Sequence, residues 1–206
     1  MNRYSNMRHL LSLTIICLSF AIQANAQEWA FELWHEGKIV LESGDTLRGQ
    51  VKYDLQQDLI QYKQGQSIAQ ALTARKVLYF EIFDSSIRKY RQFFSLPYAT
   101  NTDYKAPVFF ELLAEGDLTL LSREALEYRT YSSPYMVGSY TRLVLVNSYF
   151  LLKENGSIEP LEVKRADLLN LMGKKSDKVE NYMKDNRLKV DDKYDLVQIV
   201  KFYNNL

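Results

Sequence analysis

Residues 46–53 have the sequence TLRGQVKY, in which apolar and polar side chains alternate. Leu47, Val51 and Tyr53 fall on one face of an extended chain, and the basic and amide side chains between them fall on the other. A half-buried β-strand requires this period of two. Residues 38–43 precede this strand across a Gly-Asp turn, so the two segments are predicted to form a β-hairpin.

Strand signals continue from this hairpin to about residue 163. Further strands are predicted at 59–63, 77–84, 87–96, 108–114, 118–128, 142–153 and 157–163. The segments between them are predicted to be a short helical or irregular link at 71–76 and two long loops at 98–106 and 129–139. Asn155-Gly156 readily adopts the positive φ angles of a type I′ turn, which predicts a hairpin between the last two strands.

After residue 163 the spacing of apolar side chains becomes helical. Short helices are predicted at 164–172, 176–184 and 193–204. The expected caps are Gly173 at the end of the first, Ser176 at the start of the second, and Asp191 or Asp192 at the start of the third. In the third helix an amphipathic stripe is formed by Leu196, Ile199, Val200 and Tyr203. None of the three is long enough to be stable alone in water, so all must pack on each other or on the sheet.

The predicted fold class is therefore α+β. An antiparallel β-rich domain, a meander that is either open or a partly closed barrel, spans residues 27–163. Three short C-terminal α-helices at 164–206 form an appendage packed on or beside the sheet. About 180 residues are enough for one domain with a proper apolar core.

The first 26 residues have the pattern of a cleaved signal peptide. Arg3 and Arg8 supply a basic start, residues 10–22 an apolar core, and Ala24-Asn25-Ala26 a small-x-small cleavage site. The apolar run is shorter than the roughly 18 to 20 residues that cross a bilayer, which disfavours a retained anchor. We expect export to the periplasm or outer cell surface, with no integral membrane span in the mature chain.

Charge and cysteine content limit the partners and the means of stabilisation. The chain has 26 basic and 25 acidic residues, and removal of Arg3 and Arg8 with the leader leaves 24 and 25, a net charge of −1. A surface with no field of one sign does not predict a nucleic-acid partner. Cys17 is the only cysteine and leaves with the leader. The mature chain is thus expected to rely on apolar burial, without disulfides.

The sequence shows no constellation typical of an enzyme or a cofactor site. His35 is the only histidine after the leader, and it is predicted to lie at the surface or at a sheet edge. No nucleophile elbow, P-loop, dinucleotide fingerprint or calcium loop is present. We therefore assign no catalytic, cofactor-binding or metal-ligating residue and expect no cofactor.

Acidic residues in the predicted strands leave one alternative open. Glycoside hydrolysis uses two carboxyl groups about 5 to 10 Å apart, one of them with a raised pKa. Glu111 and Glu115 share one side of a strand but are separated by about 13 Å, whereas Glu111 and Glu124 face each other across the hairpin at Gly116. A solvated sheet face is the favoured interpretation of these acids.

Aromatic residues are concentrated in the middle of the chain. The cluster contains Tyr79, Phe80, Phe83, Tyr90, Phe93, Phe94, Tyr98, Tyr104, Phe109 and Phe110. Core packing and cross-strand pairing are the favoured interpretation of each. Tyr98, Tyr104 and Phe109 are the best candidates for a binding groove, because they flank or occupy the first long loop.

Several segments resemble exported proteins of Bacteroidetes. Residues 35–54, HEGKIVLESGDTLRGQVKYD, resemble a G-x-I-V…G-D-T-x-x-G opening, and residues 166–206 are similar to the helical C-terminus of some of these proteins. FSLPY at 94–98 and PVFFE at 107–111 extend the resemblance over most of the mature chain. It implies a compartment and a bacterial group, but no reaction.

The function predicted from these observations is a non-enzymatic binding or accessory domain of the cell envelope. Its expected partner is an envelope protein or another envelope component. Two alternatives remain: a small barrel that binds a lipid or other small ligand, and a hydrolase that works with carboxylates alone.

Overall fold

The computed structural model describes residues 29–99, 104–132 and 138–206. The predicted signal peptide lies outside the described residues, as do 100–103 and 133–137 in the two predicted loops. The strands are β1 (His35–Leu41), β2 (Thr46–Asp54), β3 (Leu59–Lys63), β4 (Gln70–Thr73), β5 (Val77–Asp84), β6 (Lys89–Tyr98), β7 (Ala106–Ala114), β8 (Thr119–Ser132), β9 (Ser139–Leu152) and β10 (Ile158–Leu161). The helices are α1 (Arg165–Leu171), α2 (Ser176–Asp185) and α3 (Lys193–Asn204), with 3₁₀ turns at Ala30–Glu32 and Gly173–Lys175.

All ten strands form one antiparallel sheet in the order β10-β9-β8-β7-β6-β5-β1-β2-β3-β4. The predicted α+β class, an antiparallel sheet followed by three helices, is confirmed, and of the two predicted forms, open or partly closed, the sheet has the open one. The sheet ends in two edges, β4 and β10, and does not close. The sheet is nevertheless curved, since the turn after the edge strand β4 reaches β6, where the Ala74 carbonyl accepts a hydrogen bond from Ser95 Oγ (2.6 Å).

Aromatic rings fill the concave side of the curled half of the sheet. The Tyr53 ring is edge-on to the rings of Phe80, Phe93 and Phe109, with centroid distances of 5.6, 5.5 and 5.7 Å. Edge-to-face pairs at this separation add to the stabilisation gained from burial. This half of the fold is therefore held by direct contact between strands that lie far apart in the sheet order.

The three helices cover the same face of the other half of the sheet. Leu196, Ile199 and Val200 of α3 are fully buried and belong to one apolar cluster with Leu120 of β8 and Leu151 of β9. The predicted stripe on α3 therefore does pack against the sheet. Helices this short gain most of their stability from such contact.

Beyond the central strands, β8 and β9 continue as a two-stranded ribbon. β7 pairs with β8 only through Leu120–Ser122, whereas β8 and β9 pair from Thr119 opposite Leu152 to Ser132 opposite Ser139. The loop was predicted at 129–139, and both of its ends are wrong: residues 129–132 belong to β8 and residue 139 begins β9. Cross-strand contacts extend the ribbon, such as the Tyr131 and Tyr140 rings, stacked with centroids 5.6 Å apart.

Two other local predictions are corrected. Residues 70–73 form the edge strand β4, and not an irregular link, because they pair with β3 from Leu59 opposite Thr73 to Tyr62 opposite Gln70. Ser176 is the first residue of α2, where Lys175 takes the cap position without a side-chain hydrogen bond. Asp192 does cap α3, since its Oδ1 accepts from the backbone N–H groups of Tyr194 and Asp195 (2.9 and 3.0 Å).

Asn204, the last residue of α3, fastens the helix to the turn between β7 and β8. Its Oδ1 accepts from the N–H of Leu118 (2.9 Å), and its Nδ2 donates to the carbonyls of Leu118 and Glu115 (2.9 and 3.1 Å). Gly116 has a φ of +148°, and a Cβ there would lie 2.5 Å from the Asn204 side chain. The turn thus depends on glycine both for its backbone conformation and for room.

We predict that Asn204→Ala lowers the free energy of unfolding by about 1–3 kcal/mol, because three hydrogen bonds to turn backbone are lost. The measurement is urea unfolding followed by circular dichroism. Asn205→Ala is the matched control, since among the described residues that side chain bonds to the Lys201 carbonyl of α3 (2.8 Å) and not to the sheet. Equal effects of the two substitutions would contradict a fastening role for Asn204.

Candidate functional site

A cleft of about 430 Å³ opens where α3 passes over the centre of the sheet. One wall is the face of α3 that carries Lys193, Tyr194 and Val197, and the opposite wall is the turn between β5 and β6. The volume is within the range of small-ligand pockets, about 300–1,000 Å³. Charged side chains from four neighbouring strands, β5 to β8, form its floor.

Arg91 on β6 is the centre of this floor. Its Nε and Nη2 donate to Oε1 and Oε2 of Glu111 on β7, each at 2.8 Å. Nη2 also donates to Oε1 of Glu124 on β8, again at 2.8 Å. The bidentate geometry matches the planar guanidinium to a carboxylate, and such charge-assisted hydrogen bonds are among the strongest in proteins.

Lys193 joins the same two carboxylates from the helix side. Its Nζ donates to Oε2 of Glu111 (2.9 Å) and Oε1 of Glu124 (3.1 Å). Because Lys193 is the first residue of α3, these bonds place the start of that helix directly above the sheet. The capping carboxylate of Asp192 precedes it and orients that turn.

Asp84 and Ser122 complete the polar floor. Arg91 Nη1 lies 3.5 Å from Oδ2 of Asp84, and Ser122 Oγ donates to Oε2 of Glu111 (3.2 Å). The side chains of Arg91 and Glu111 are only 8 % and 7 % exposed. We refer to Asp84, Arg91, Glu111, Glu124 and Lys193 as the ionic floor.

The pairing of strands explains why these residues meet. Glu111 lies opposite Phe93 on β6 and opposite Ser122 on β8. Arg91 is two residues from Phe93, and Glu124 is two residues from Ser122. Side chains two apart share a face of a sheet, so Arg91 and Glu124 both point to the side of Glu111.

The surroundings keep the Glu111 carboxyl group ionised. Burial by itself would raise the pKa of Glu111, but hydrogen bonds and charge from Arg91 and Lys193 outweigh it and lower the pKa to about 2. Burial would likewise lower the pKa of the Arg91 guanidinium, yet the carboxylates of Glu111 and Glu124 raise it. Proton donation at neutral pH requires the opposite, a carboxyl group whose pKa is raised.

The structure brings together one predicted carboxylate pair and separates the other. Glu111 and Glu124 share Arg91 and Lys193 as partners, whereas Glu115 is exposed in the turn after β7. The favoured interpretation of Glu111 and Glu124 as parts of a solvated face is wrong. Their inward position is tolerated because each carboxylate is neutralised by a cation in contact with it.

His35 is also placed differently from the prediction. It is 3 % exposed, and its Nδ1 lies 3.2 Å from the Phe83 carbonyl. The prediction of a surface or edge histidine is wrong, because β1 is an inner strand between β2 and β5.

The three aromatic candidates for a groove do not meet. Phe109 is buried on the concave side with Tyr53 and Phe80, while Tyr98 packs edge-on to Phe110 on the opposite face (5.5 Å). Tyr104 is 68 % exposed. Core packing, the favoured interpretation, holds for Phe109.

The exposed aromatic residues that line the cleft are Tyr90 and Tyr194, and the buried Phe31 lines it as well. The two tyrosines are 69 % and 47 % exposed, and Lys89 Nζ lies 5.3 Å from the centre of the Tyr194 ring. Sequence reasoning included Tyr90 in the aromatic cluster but missed Tyr194 and the ionic partners Arg91 and Lys193. Two signals were present: Arg91 shares its strand face with Phe93, and Lys193 lies three residues before Leu196 on the buried stripe of α3.

Comparisons with known proteins add no identity to this site. The chain matches no protein-family model, no curated protein and no solved structure. Within the described ranges, no group of three or more histidine, cysteine or acidic side chains is arranged to hold a metal ion. None of the helices in this part of the chain is long and apolar enough to cross a membrane.

We predict that Arg91→Met lowers the free energy of unfolding by about 3–5 kcal/mol, because Glu111 stays buried after losing its bidentate partner. The control is Arg129→Gln, which breaks the 52 % exposed pair with Glu127 and should cost less than about 1 kcal/mol. Chemical unfolding of the purified proteins measures both. A cost for Arg91→Met no larger than that of the control would show that the ionic floor is not a structural centre.

We also predict that stability falls between about pH 4.5 and pH 2. The folded-state pKa of Glu111, about 2, is below its ordinary value of 4.5, so the folded protein binds fewer protons than the unfolded chain in this window. The stabilisation is complete above the ordinary value and is lost as the pH falls through the folded-state value. Urea unfolding at a series of pH values measures it, and Glu111→Gln should show a shallower decline. An unchanged slope in that variant would assign the acid sensitivity to other groups.

Proposed function

We propose that this chain is a non-enzymatic binding domain of the cell envelope and that it binds its partner in the cleft between α3 and the sheet. The observation that carries the proposal is the state of Glu111 and Glu124. Both carboxylates face a concave site of ligand size, but both are bonded to Arg91 and Lys193. A cleft with paired charges and exposed tyrosines suits recognition better than acid catalysis.

The two alternatives have weaker support. A carboxylate-dependent hydrolase needs a general acid, whereas the low pKa of Glu111 keeps that group ionised. A lipid carrier needs an apolar interior with space for a chain, whereas the concave side is occupied by rings such as Phe80 and Phe93, stacked at 4.6 Å. The cleft itself is polar at its floor, which does not favour an alkyl ligand.

The cellular location is part of the proposal. The basic start, apolar core and small-x-small site within residues 1–26 support export with cleavage before Gln27. The resemblance of residues 35–54 and 166–206 to exported proteins of Bacteroidetes supports the same compartment. We therefore propose a periplasmic or cell-surface protein whose partner is an envelope protein or another envelope component.

A photo-cross-linking amino acid placed at position 90 of the cleft tests this function. Expressed in a bacterial host of the proposed group, the variant should form a specific adduct with an envelope component, and excess unlabelled protein should compete. The control places the same group at Ile68, which is 90 % exposed and outside the cleft lining. Mass spectrometry of the same sample should find the chain beginning at Gln27.

Two results would contradict the proposal. One is an identical set of adducts from positions 90 and 68, since that pattern indicates nonspecific contact. The other is turnover of a glycan substrate by the purified protein that is abolished by Glu124→Gln, which would favour the hydrolase.

A further inference from the structure

The ribbon formed by the outer parts of β8 and β9 has an open backbone edge. Among the described residues, β7 pairs with β8 no further than Ser122. Residues 125–132 of β8 therefore pair on one side only, with β9. About half of their N–H and C=O groups point to the open side, where they are free to bond to another strand.

This edge of β8 is accessible along most of its length. The short side chains of Ala125 and Thr130 are exposed, and Tyr128 between them is 78 % exposed. Proteins commonly protect such an edge with a proline or a β-bulge. Residues 125–132 contain no proline, and their register with β9 is continuous. The edge is therefore suited to the addition of a further strand.

Charged residues near the middle of the edge limit which strand fits there. Glu127 and Arg129 share one face of β8, and both side chains are 52 % exposed, with 3.4 Å between their charged atoms. On its other side Arg129 lies directly opposite Arg142 of β9. Like charges at opposite positions destabilise a sheet. An acidic side chain on the open side of Arg129 would offset this repulsion.

A second copy of the same edge supplies this acid. When two β8 strands pair antiparallel about a two-fold axis at Tyr128, Glu127 of each copy lies opposite Arg129 of the other. An axis at residue 127 or at residue 129 would instead place two like charges opposite each other. The outer part of β9, residues 139–148, cannot form such pairs with itself, because Arg142 is its single charged residue. The edge of β8 is thus complementary to itself, and in one register.

From this self-complementarity we propose that the chain forms a two-fold symmetric dimer through residues 125–131 of β8. The two ribbons join into one four-stranded antiparallel sheet in the order β9-β8-β8-β9. The Tyr128 rings of the two copies meet at the axis on one face, and the two Glu127–Arg129 pairs lie on the opposite face. Residues 125–131 are outside the lining of the cleft, so this inference concerns a different surface from the proposed function.

The dimer interface consists of a single strand edge on each copy, which places it at the low end of interface sizes, below about 1,200 Å². We therefore expect a weak dimer, with a dissociation constant of about 10–1,000 μM. The chain is then a monomer at the low concentrations of unfolding experiments. Association has to be measured over the range in which it occurs.

Reversal of the two charges tests the register, with sedimentation velocity of the purified protein as the measurement. Glu127→Arg and Arg129→Glu each place like charges opposite each other in a self-pair, and each should weaken association about tenfold or more. An equimolar mixture of the two variants should associate again, because the two arginines of one copy then face the two glutamates of the other. Both positions are exposed, and circular dichroism verifies that each variant is folded.

A control variant and a cross-link locate the contact. Glu42→Arg makes the same change of charge at an exposed position between β1 and β2, and it should associate like the unmodified protein. A photo-cross-linking amino acid at position 128 should give an adduct of twice the mass of the chain, joined to residues near 128 of the second copy. The same group at Ile68, which is 90 % exposed, should not.

A sedimentation coefficient that does not change with concentration up to about 1,000 μM would overturn the inference. So would a mixture of the two charge variants that associates no better than either variant alone. An adduct at position 128 with a polypeptide of different mass would also reject the dimer, and would assign the edge of β8 to a strand of another protein. Each of these outcomes leaves the test of the cleft at position 90 unaffected.

Discussion

The pairing of Arg91 with Glu111 is the interaction on which the rest of the structure depends. Strands β6 and β7 carry these two residues into the middle of a ten-stranded sheet, where neither charge is stable without the other. The pair lies between two apolar regions, the ring-filled concave side and the helix-covered side. It therefore gives the centre of the sheet a polar contact that tolerates only one register of β6 against β7.

The helices supply one of the two cations of the ionic floor, and they also cover apolar surface of the sheet. The first turn of α3 supplies Lys193 to two carboxylates, and its last residue, Asn204, bonds to the turn that joins their strands. Both ends of the helix are thus attached to the same β7–β8 hairpin. Attachment at two points fixes the wall of the cleft and leaves Tyr194 exposed between them.

The local sequence pattern was sufficient to predict those elements whose conformation is determined by their own residues. β3, β5 and α3 begin and end where alternation or helical spacing predicted, because their buried faces are continuous in sequence. The edge strand β4 has one buried side chain, Leu72, so its strand conformation comes from pairing with β3 and not from its own pattern. The site was only half predictable for the same reason. The hairpin at Gly116 indicates that Glu111 faces Glu124. The cations that neutralise these carboxylates, Arg91 on β6 and Lys193 on α3, are distant in sequence, so no local spacing of residues predicts the contact.

The long separation of these contacts has a consequence for how the chain matures. Lys193 is 82 residues from Glu111, and Asn204 is 86 residues from Leu118. During synthesis the central carboxylates remain without their lysine until α3 has emerged from the ribosome, so the sheet cannot reach its final stability before then. Contacts between residues this far apart in sequence form more slowly than the hairpins that join consecutive strands of the sheet. A slow final step would lengthen the time for which the central carboxylates lack one of their two cations.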